Sequence, residues 1–209
     1  MSETTVPVSQ RGVIVLLMAT SLAVATSNSV IFAALSDLQD EFGFSSAGLG
    51  LIAGTGFLAG LLVNLFLAPL SDRGHAKRLI MLGMTLGAIG SVLLGFGESL
   101  GQFIFARAVI GSSFGLVFPS VRALLANVDI SRRGLLLGRL AGVELLGFVL
   151  GPLVGGFMLD PFGIRNTFLS FSSQRFASRI GNKTGPKDLY GTQRTSRTEG
   201  SRRLSYSVN

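Results

Sequence analysis

VIVLLMATSLAVATSNSVIFAAL, residues 13–35, carries no charged side chain. A helix that crosses about 30 Å of hydrocarbon at about 1.5 Å per residue needs roughly 20 mainly apolar residues, and this run supplies them. Working outward, four more stretches qualify: 42–70, 79–97, 100–121 and 140–159. The second and third carry no charge, the fourth is interrupted by Arg107 and the fifth by Glu144. Lipid offers the backbone no hydrogen-bond partners, so such runs must be helices. The expected fold class is therefore an all-α polytopic membrane bundle with five complete spans. The residue-by-residue alternation of a membrane β-barrel is absent from the sequence. Ala23-Val24-Ala25 has the form of a signal-peptide cleavage site, but the apolar run around it is too long for a signal peptide and four more spans follow.

Composition agrees: 48% of the 209 residues are apolar, 14% are charged, and the mean hydropathy is +0.56. Soluble domains carry charge on about a quarter of their residues. The absence of Cys excludes disulfides, thiolate metal sites and cysteine catalysis, and a single His75 cannot build a multi-histidine centre. Nothing in the sequence asks for a metal or cofactor, and no phosphate-binding motif opens a soluble helix, so no enzymatic activity is expected.

The net charge of +7 is unevenly placed. Residues 172–209 hold eight basic and two acidic side chains, whereas residues 1–171 hold ten and nine. The high pI therefore belongs to the tail. With few aromatic residues in that tail to stack on bases, nucleic acid is not an expected partner; the lipid bilayer is.

Short loops rich in Lys and Arg stay on the cytoplasmic side. Asp37, Asp40 and Glu41 follow the first run and Glu98 follows the third, so these loops are expected outside. Arg73, Lys77 and Arg78, and then Arg122, Arg132, Arg133 and Arg139, mark the inside. The reading is a multi-pass protein of the plasma membrane, with residues 1–12 as a cytoplasmic N-terminal tail.

Three local patterns go beyond composition. Asp72 and Arg73, followed by Lys77 and Arg78, occupy the short turn after the second span. Arg107 is followed at helical spacing by Gly111 and Gly115; a guanidinium at that depth normally faces a bundle interior or a wet cavity. Gly147, Gly151, Pro152, Gly155 and Gly156 form a proline-bent, nearly flat face on the fifth span. Glycines four apart also recur at Gly50 and Gly54, Gly56 and Gly60, and Gly83 and Gly87, a spacing that lets helix backbones approach closely.

Together and in this order, the patterns resemble the major facilitator superfamily. Asp72 and Arg73 match its loop between spans two and three, although Ala68, His75 and Ala76 depart from it. Arg107, Gly111 and Gly115 fit its fourth-span pattern. The run from Gly147 to Gly156 fits its antiporter pattern at every specified position. The resemblance implies a transporter that exchanges a small-molecule substrate for protons, with this chain as the N-terminal half. It implies a cytoplasmic gate at Asp72, Arg73, Lys77 and Arg78, and a proton-coupling or substrate role for Arg107. It also implies a fifth helix that rocks against a helix of the opposite half. Glu144 is a candidate proton carrier from its placement within a span. Helical rise puts Arg107 and Glu144 about 10 Å apart in depth, so no direct ion pair between them is expected. Asn28 is the only strongly polar side chain in the first span.

The apolar pattern breaks after Phe171. Residues 166–174 resemble the start of a sixth helix, and 172–209 read as a basic, disordered tail. A chain truncated or frameshifted after the start of that helix accounts for the break, leaving an inactive fragment that lacks a C-terminal half. A genuine basic tail that contacts anionic headgroups is the alternative. At the level of function, the competing expectation is a half-bundle that self-associates as a non-transporting interaction module.

Overall fold

The computed structural model describes the backbone of residues 8–183 and, within it, the side chains of residues 10–67, 70–71 and 74–171. The tail 184–209 and the side chains of Asp72 and Arg73 lie outside the described residues. Among the described residues there are six α-helices: α1 (Val8–Ser29), α2 (Ile31–Phe42), α3 (Ser46–Leu70), α4 (Ala76–Gly95), α5 (Leu100–Val128) and α6 (Arg133–Lys183). By length and composition, five segments can cross a membrane, as the sequence indicated.

The first crossing is longer than its apolar run. Val30 keeps helical dihedrals and donates its N–H to Thr26 O at 3.1 Å, so α1 and α2 form one nearly continuous rod from Gln10 to Phe42. The acidic segment expected as a loop from Ser36 is therefore helix. It is amphipathic: Ile31, Ala34 and Leu38 are buried while Asp40 and Glu41 face out, so the rod continues past the hydrocarbon. It stops at Gly43, which closes the last turn with φ +65° and an N–H bond to Gln39 O at 2.9 Å. Ser45 Oγ accepts the Gly48 N–H at the start of α3.

The turn between α3 and α4 is a five-residue π-helical bend, Ser71–His75, with Gly74 at φ +86°. At the next turn, between α4 and α5, Gln102 Oε1 accepts the N–H groups of Glu98 and Ser99 and so covers donors at the start of α5. α5 then runs seven residues beyond the expected end at Val121, which places Arg122 in the helix and not in the loop.

α6 contains two helical stretches separated at Gly163, whose φ of +70° and ψ of 173° suit glycine alone. The second stretch coincides with the start of the expected sixth helix. It packs on α4, where a methyl group at Gly95 would stand 3.2 Å from Arg165 O, and it buries Phe168 and Phe171. From there the backbone stays helical through Lys183, where composition alone reads as disordered. Extending an anchored helix by one residue is far easier than starting one.

Two apolar cores fill the bundle. One, towards the α2 end, includes Ile31, Leu38, Ile52, Leu94, Phe103 and Phe168. The other, towards the opposite end, includes Leu17, Met84, Val117, Val121, Leu136 and Leu140. Because lipid is as apolar as these side chains, close backbone packing must add to the association. The glycines permit it: α5 lies between α3 and α4, and α1 lies along α6.

Candidate functional site

The α3–α5 seam is built backbone to backbone. A methyl group at Gly111 would stand 1.9 Å from Gly56 O, and one at Gly115 would stand 2.3 Å from Gly60 O. No side chain fits there. The close approach leaves a slot for Arg107, one turn along α5. Its guanidinium lies against Gly56, where a methyl group would come within 2.7 Å of Nη2.

Arg107 is 1% exposed. Its Nη1 donates to the backbone O and to Oδ1 of Asn28, both at 3.1 Å. Nε and Nη2 have no partner among the described residues. A full positive charge is thus held by an amide and a carbonyl without a carboxylate, an arrangement that is costly in a dry interior. Asn28 is the partner that sequence reasoning left unassigned. Its signal was its isolation as the one strongly polar residue of the first span.

Glu144 pairs with Arg122 of α5 through Oε2 and Nη2. The two side chains differ in environment, Arg122 being 51% exposed and Glu144 7%. The second carboxylate oxygen, Oε1, is buried without a partner among the described residues. Arg122 also lies over the Phe118 ring at 5.8 Å from its centroid. As expected, Arg107 and Glu144 do not pair, each having its own partner on a different helix; their separation is nearer the roughly 22 Å that fifteen residues of α5 set between Arg107 and Arg122 than the 10 Å expected. Arg122 was missed because its Arg looked like one more basic loop residue.

A run of aromatic contacts leads to the Arg122–Glu144 pair. Phe57 stacks with Phe32 at 6.1 Å and with Phe148 at 6.4 Å between centroids. Phe148 meets Phe114 edge-on at 6.1 Å, and Phe114 lies 4.1 Å from Phe118. Phe148 follows Glu144 by four residues and Phe118 precedes Arg122 by four, so each charge has a ring one helical turn away.

The face formed by Gly147, Gly151 and Gly155 lies on the rod formed by α1 and α2. Methyl groups there would stand 2.7 Å from Ala25 Cβ, 1.8 Å from Ser29 Oγ and 3.1 Å from Ala33 Cβ. Ser29 Oγ also approaches Gly147 O at 3.4 Å. Three of the four glycines are thus covered within the chain. Gly156 stands in open space, beside exposed Leu153 and Phe157. Pro152 removes one N–H from the helix at this level and favours a bend.

At the other motif, Lys77 and Arg78 occupy the first turn of α4. The bend carrying the backbone of Asp72 and Arg73 is tied to α5 by a buried hydroxyl contact between Ser71 and Ser120 at 2.8 Å. Among the described residues no cluster of His, Asp or Glu could hold a metal ion.

These features follow the family order along the chain, and comparison decides the matter. The sequence profile described as Major Facilitator Superfamily matches residues 17–173. The chain belongs to this superfamily. It is 35% identical over 129 residues to the multidrug resistance protein MdtG of Rahnella sp. (strain Y9602), covering 61% of this chain and 31% of that one. It is 32% identical over 167 residues to the MFS-type transporter YuxJ of Bacillus subtilis (strain 168), covering 78% and 43%. It is 28% identical over 121 residues to the quinolone resistance protein NorA of Staphylococcus aureus (strain MRSA252), covering 57% and 31%. The matched part therefore spans about a third to two fifths of these relatives. The superfamily chain described here is a multi-pass membrane protein of a transporter family.

Proposed function

We propose that this chain forms the N-terminal half of a proton-coupled exporter of amphipathic organic molecules, with Glu144 as the proton site. The observation that carries the reading is the half-satisfied carboxylate: Arg122 covers Oε2 of Glu144, and Oε1 has no donor. A proton taken from the inner aqueous side would bind Oε1, neutralise the carboxylate and free Arg122 to turn to water. Loss of that proton would restore the pair. Such a two-state charge contact is a ready element for coupling a proton to a conformational change. Arg107 contributes a fixed positive charge deeper in the bundle, and the aromatic rings that lead to the Arg122–Glu144 pair suit flat organic cargo.

The resistance activities named for MdtG and NorA support this cargo class. The turn with Asp72, Arg73, Lys77 and Arg78 serves as the cytoplasmic gate, which places the N-terminus in the cytoplasm. Alternating access needs a second half to bind the cargo from the other side.

The test joins residues 1–171 to the remaining part of MdtG and reconstitutes the chimera in liposomes. A pH gradient should drive uptake or release of the dye Hoechst 33342, and Glu144→Gln should abolish the gradient dependence. Gradient-driven transport that survives Glu144→Gln removes Glu144 from the proton path. A second reading is favoured by the outer faces of α3 and α6, whose spans are 22% and 28% buried against 56% for the other three: the half-bundle self-associates through them. Crosslinking between single cysteines introduced at exposed Leu65 or Phe157 should detect dimers if that is so.

A further inference from the structure

The end of α5 that carries Arg122 holds a second contact, one that proton binding does not use. Ser71 and Ser120 are buried, with their hydroxyl oxygens 2.8 Å apart. Ser120 Oγ donates to Leu116 O at 2.7 Å. A hydroxyl has one proton to give, so Ser71 must be the donor in the pair, and the order runs from Ser71 to Ser120 to Leu116. The bend Ser71–His75 is thus moored to α5 by a two-link chain out of water, where the low dielectric strengthens each link.

Ser120 and Arg122 are two residues apart and therefore about 200° apart around the helix. One faces the bend and the other faces α6, where it pairs with Glu144. Pro119 stands immediately before both. It lacks the N–H that would bond Gly115 O, so the ladder of α5 is interrupted at one rung. On the near side of that rung the helix cannot shift, because a methyl group at Gly115 would stand 2.3 Å from Gly60 O. Past it, Val121 and Leu125 pack in the core, and the contacts of Ser120 and Arg122 tie the helix end to its neighbours.

We propose that residues 119–128 form a lever between the Arg122–Glu144 pair and the bend that carries the gate motif, with Ser120 as the positioning residue. While Glu144 is charged, Arg122 is pinned towards α6 and Ser120 stays against Ser71. When Glu144 is neutral, Arg122 turns to water, the end of α5 relaxes at Pro119, and the bend is let go. Ser120 touches no cargo and passes no proton to Glu144; it sets where the bend stands. The lever rests on Glu144 as the proton site, and the two can fail separately.

The experiment labels single cysteines in the whole chain in nanodiscs, since the sequence has no Cys of its own. The reporter is Ala76→Cys, at a position 2% exposed immediately after the bend, and the control is Ala88→Cys, 4% exposed further along α4. Glu144→Gln and Arg122→Gln should each speed N-ethylmaleimide labelling of the reporter about fivefold, the change that loss of one neutral hydrogen bond produces. The control should not respond. Ser120→Ala should speed the reporter by the same factor, and in that background Glu144→Gln should add nothing. A residue that merely stabilises the bundle would give additive effects and would speed the control as well. Pro119→Ala restores the missing rung and should keep the reporter slow when combined with Glu144→Gln. A reporter indifferent to Glu144→Gln overturns the lever, and so do additive effects, equal acceleration of the control, or fast labelling that survives Pro119→Ala. In the MdtG chimera, gradient dependence that vanishes in Glu144→Gln beside an indifferent bend keeps the proton site and removes the lever; the reverse result keeps the lever and removes the proton site.

Discussion

Arg107 and Arg122 lie on the same helix, fifteen residues and therefore about 22 Å apart, and they solve the cost of a guanidinium in a membrane protein in opposite ways. Arg107 is fully buried and is held by Asn28 and by the space at Gly56, without a countercharge among the described residues. Arg122 is half exposed and holds a carboxylate that is itself buried. The first centre is made by backbone geometry and can change only if α3 and α5 part. The second is made by two side chains and can open by a rotamer change at the edge of water. Fixed charge and switchable charge are thereby placed at different depths, and the difference predicts how each will break.

The largest effect should come from the seam that makes the Arg107 slot. Gly111→Ala places a methyl group 1.9 Å from a backbone oxygen, which cannot move without shifting α3. Overpacking typically costs about 1–3 kcal/mol and sometimes more; with backbone as the obstacle, a loss of about 3 kcal/mol is expected. Gly54→Ala is the control, because nothing lies within 4 Å of its new methyl group. Thermal unfolding in detergent should show a much lower midpoint for the first variant and little change for the second. Similar midpoints would mean that the α3–α5 contact is looser than described.

Next in size is the Asn28 contact. Asn28→Leu leaves Arg107 with a single acceptor and should cost about 1.5–3 kcal/mol, the range for a hydrogen bond to a charged group. Asn28→Asp supplies the missing countercharge at the same place and should be more stable than Asn28→Leu. If the two variants unfold alike, the guanidinium does not depend on residue 28.

How much of this was legible in the sequence depends on the range of the interaction. Charge-free runs fix the number of crossings because every residue in lipid must satisfy its own backbone locally, and that requirement leaves a continuous trace. Arg107 and Glu144 were visible for the same reason, as interruptions. Their partners were not: the Asn28 contact joins residues 79 apart, and the Arg122 contact joins residues 22 apart on another helix. Nothing local to Arg122 distinguishes it from the loop arginines. The amphipathic end of the first rod was misread as a loop because Asp37, Asp40 and Glu41 lie on its polar side, where charge carries little penalty. The covering of Gly147, Gly151 and Gly155 by the first rod was also not legible. A small-residue face announces that some backbone will approach it, and α1 and a helix from another half satisfy that requirement equally.

The switchable pair should cost less to break than either feature of the fixed centre. Arg122→Gln leaves Glu144 without its donor, but the half-exposed position admits solvent and the carboxylate can bind a proton, so a loss of about 1 kcal/mol is expected. The informative measurement is the double-mutant cycle. In a Glu144→Gln background the Arg122→Gln substitution should have almost no further effect on unfolding. Additive losses would show that Arg122 acts through its contact with Phe118 and not through the carboxylate.

The smallest effect is expected outside the bilayer, at Asp129. Its carboxylate accepts from Ser131 Oγ at 2.6 Å, from Ser131 N at 3.0 Å and from Arg132 N at 3.2 Å. The Ser131 hydroxyl bond, aided by the backbone donors and the charge of Arg132, holds its pKa below the usual carboxylate value. Because the folded value is depressed, the contribution is present above the unfolded pKa and disappears as pH falls through the folded one. Hydrogen exchange should therefore show the Ser131 and Arg132 amides protected at neutral pH and progressively less so in acid. Asp129→Asn should remove the acid dependence while leaving unfolding of the bundle nearly unchanged. Acid-dependent protection that persists in Asp129→Asn would assign the titration to another group. In either case the turn is a local clasp at the start of α6, and its loss should leave both arginine centres intact.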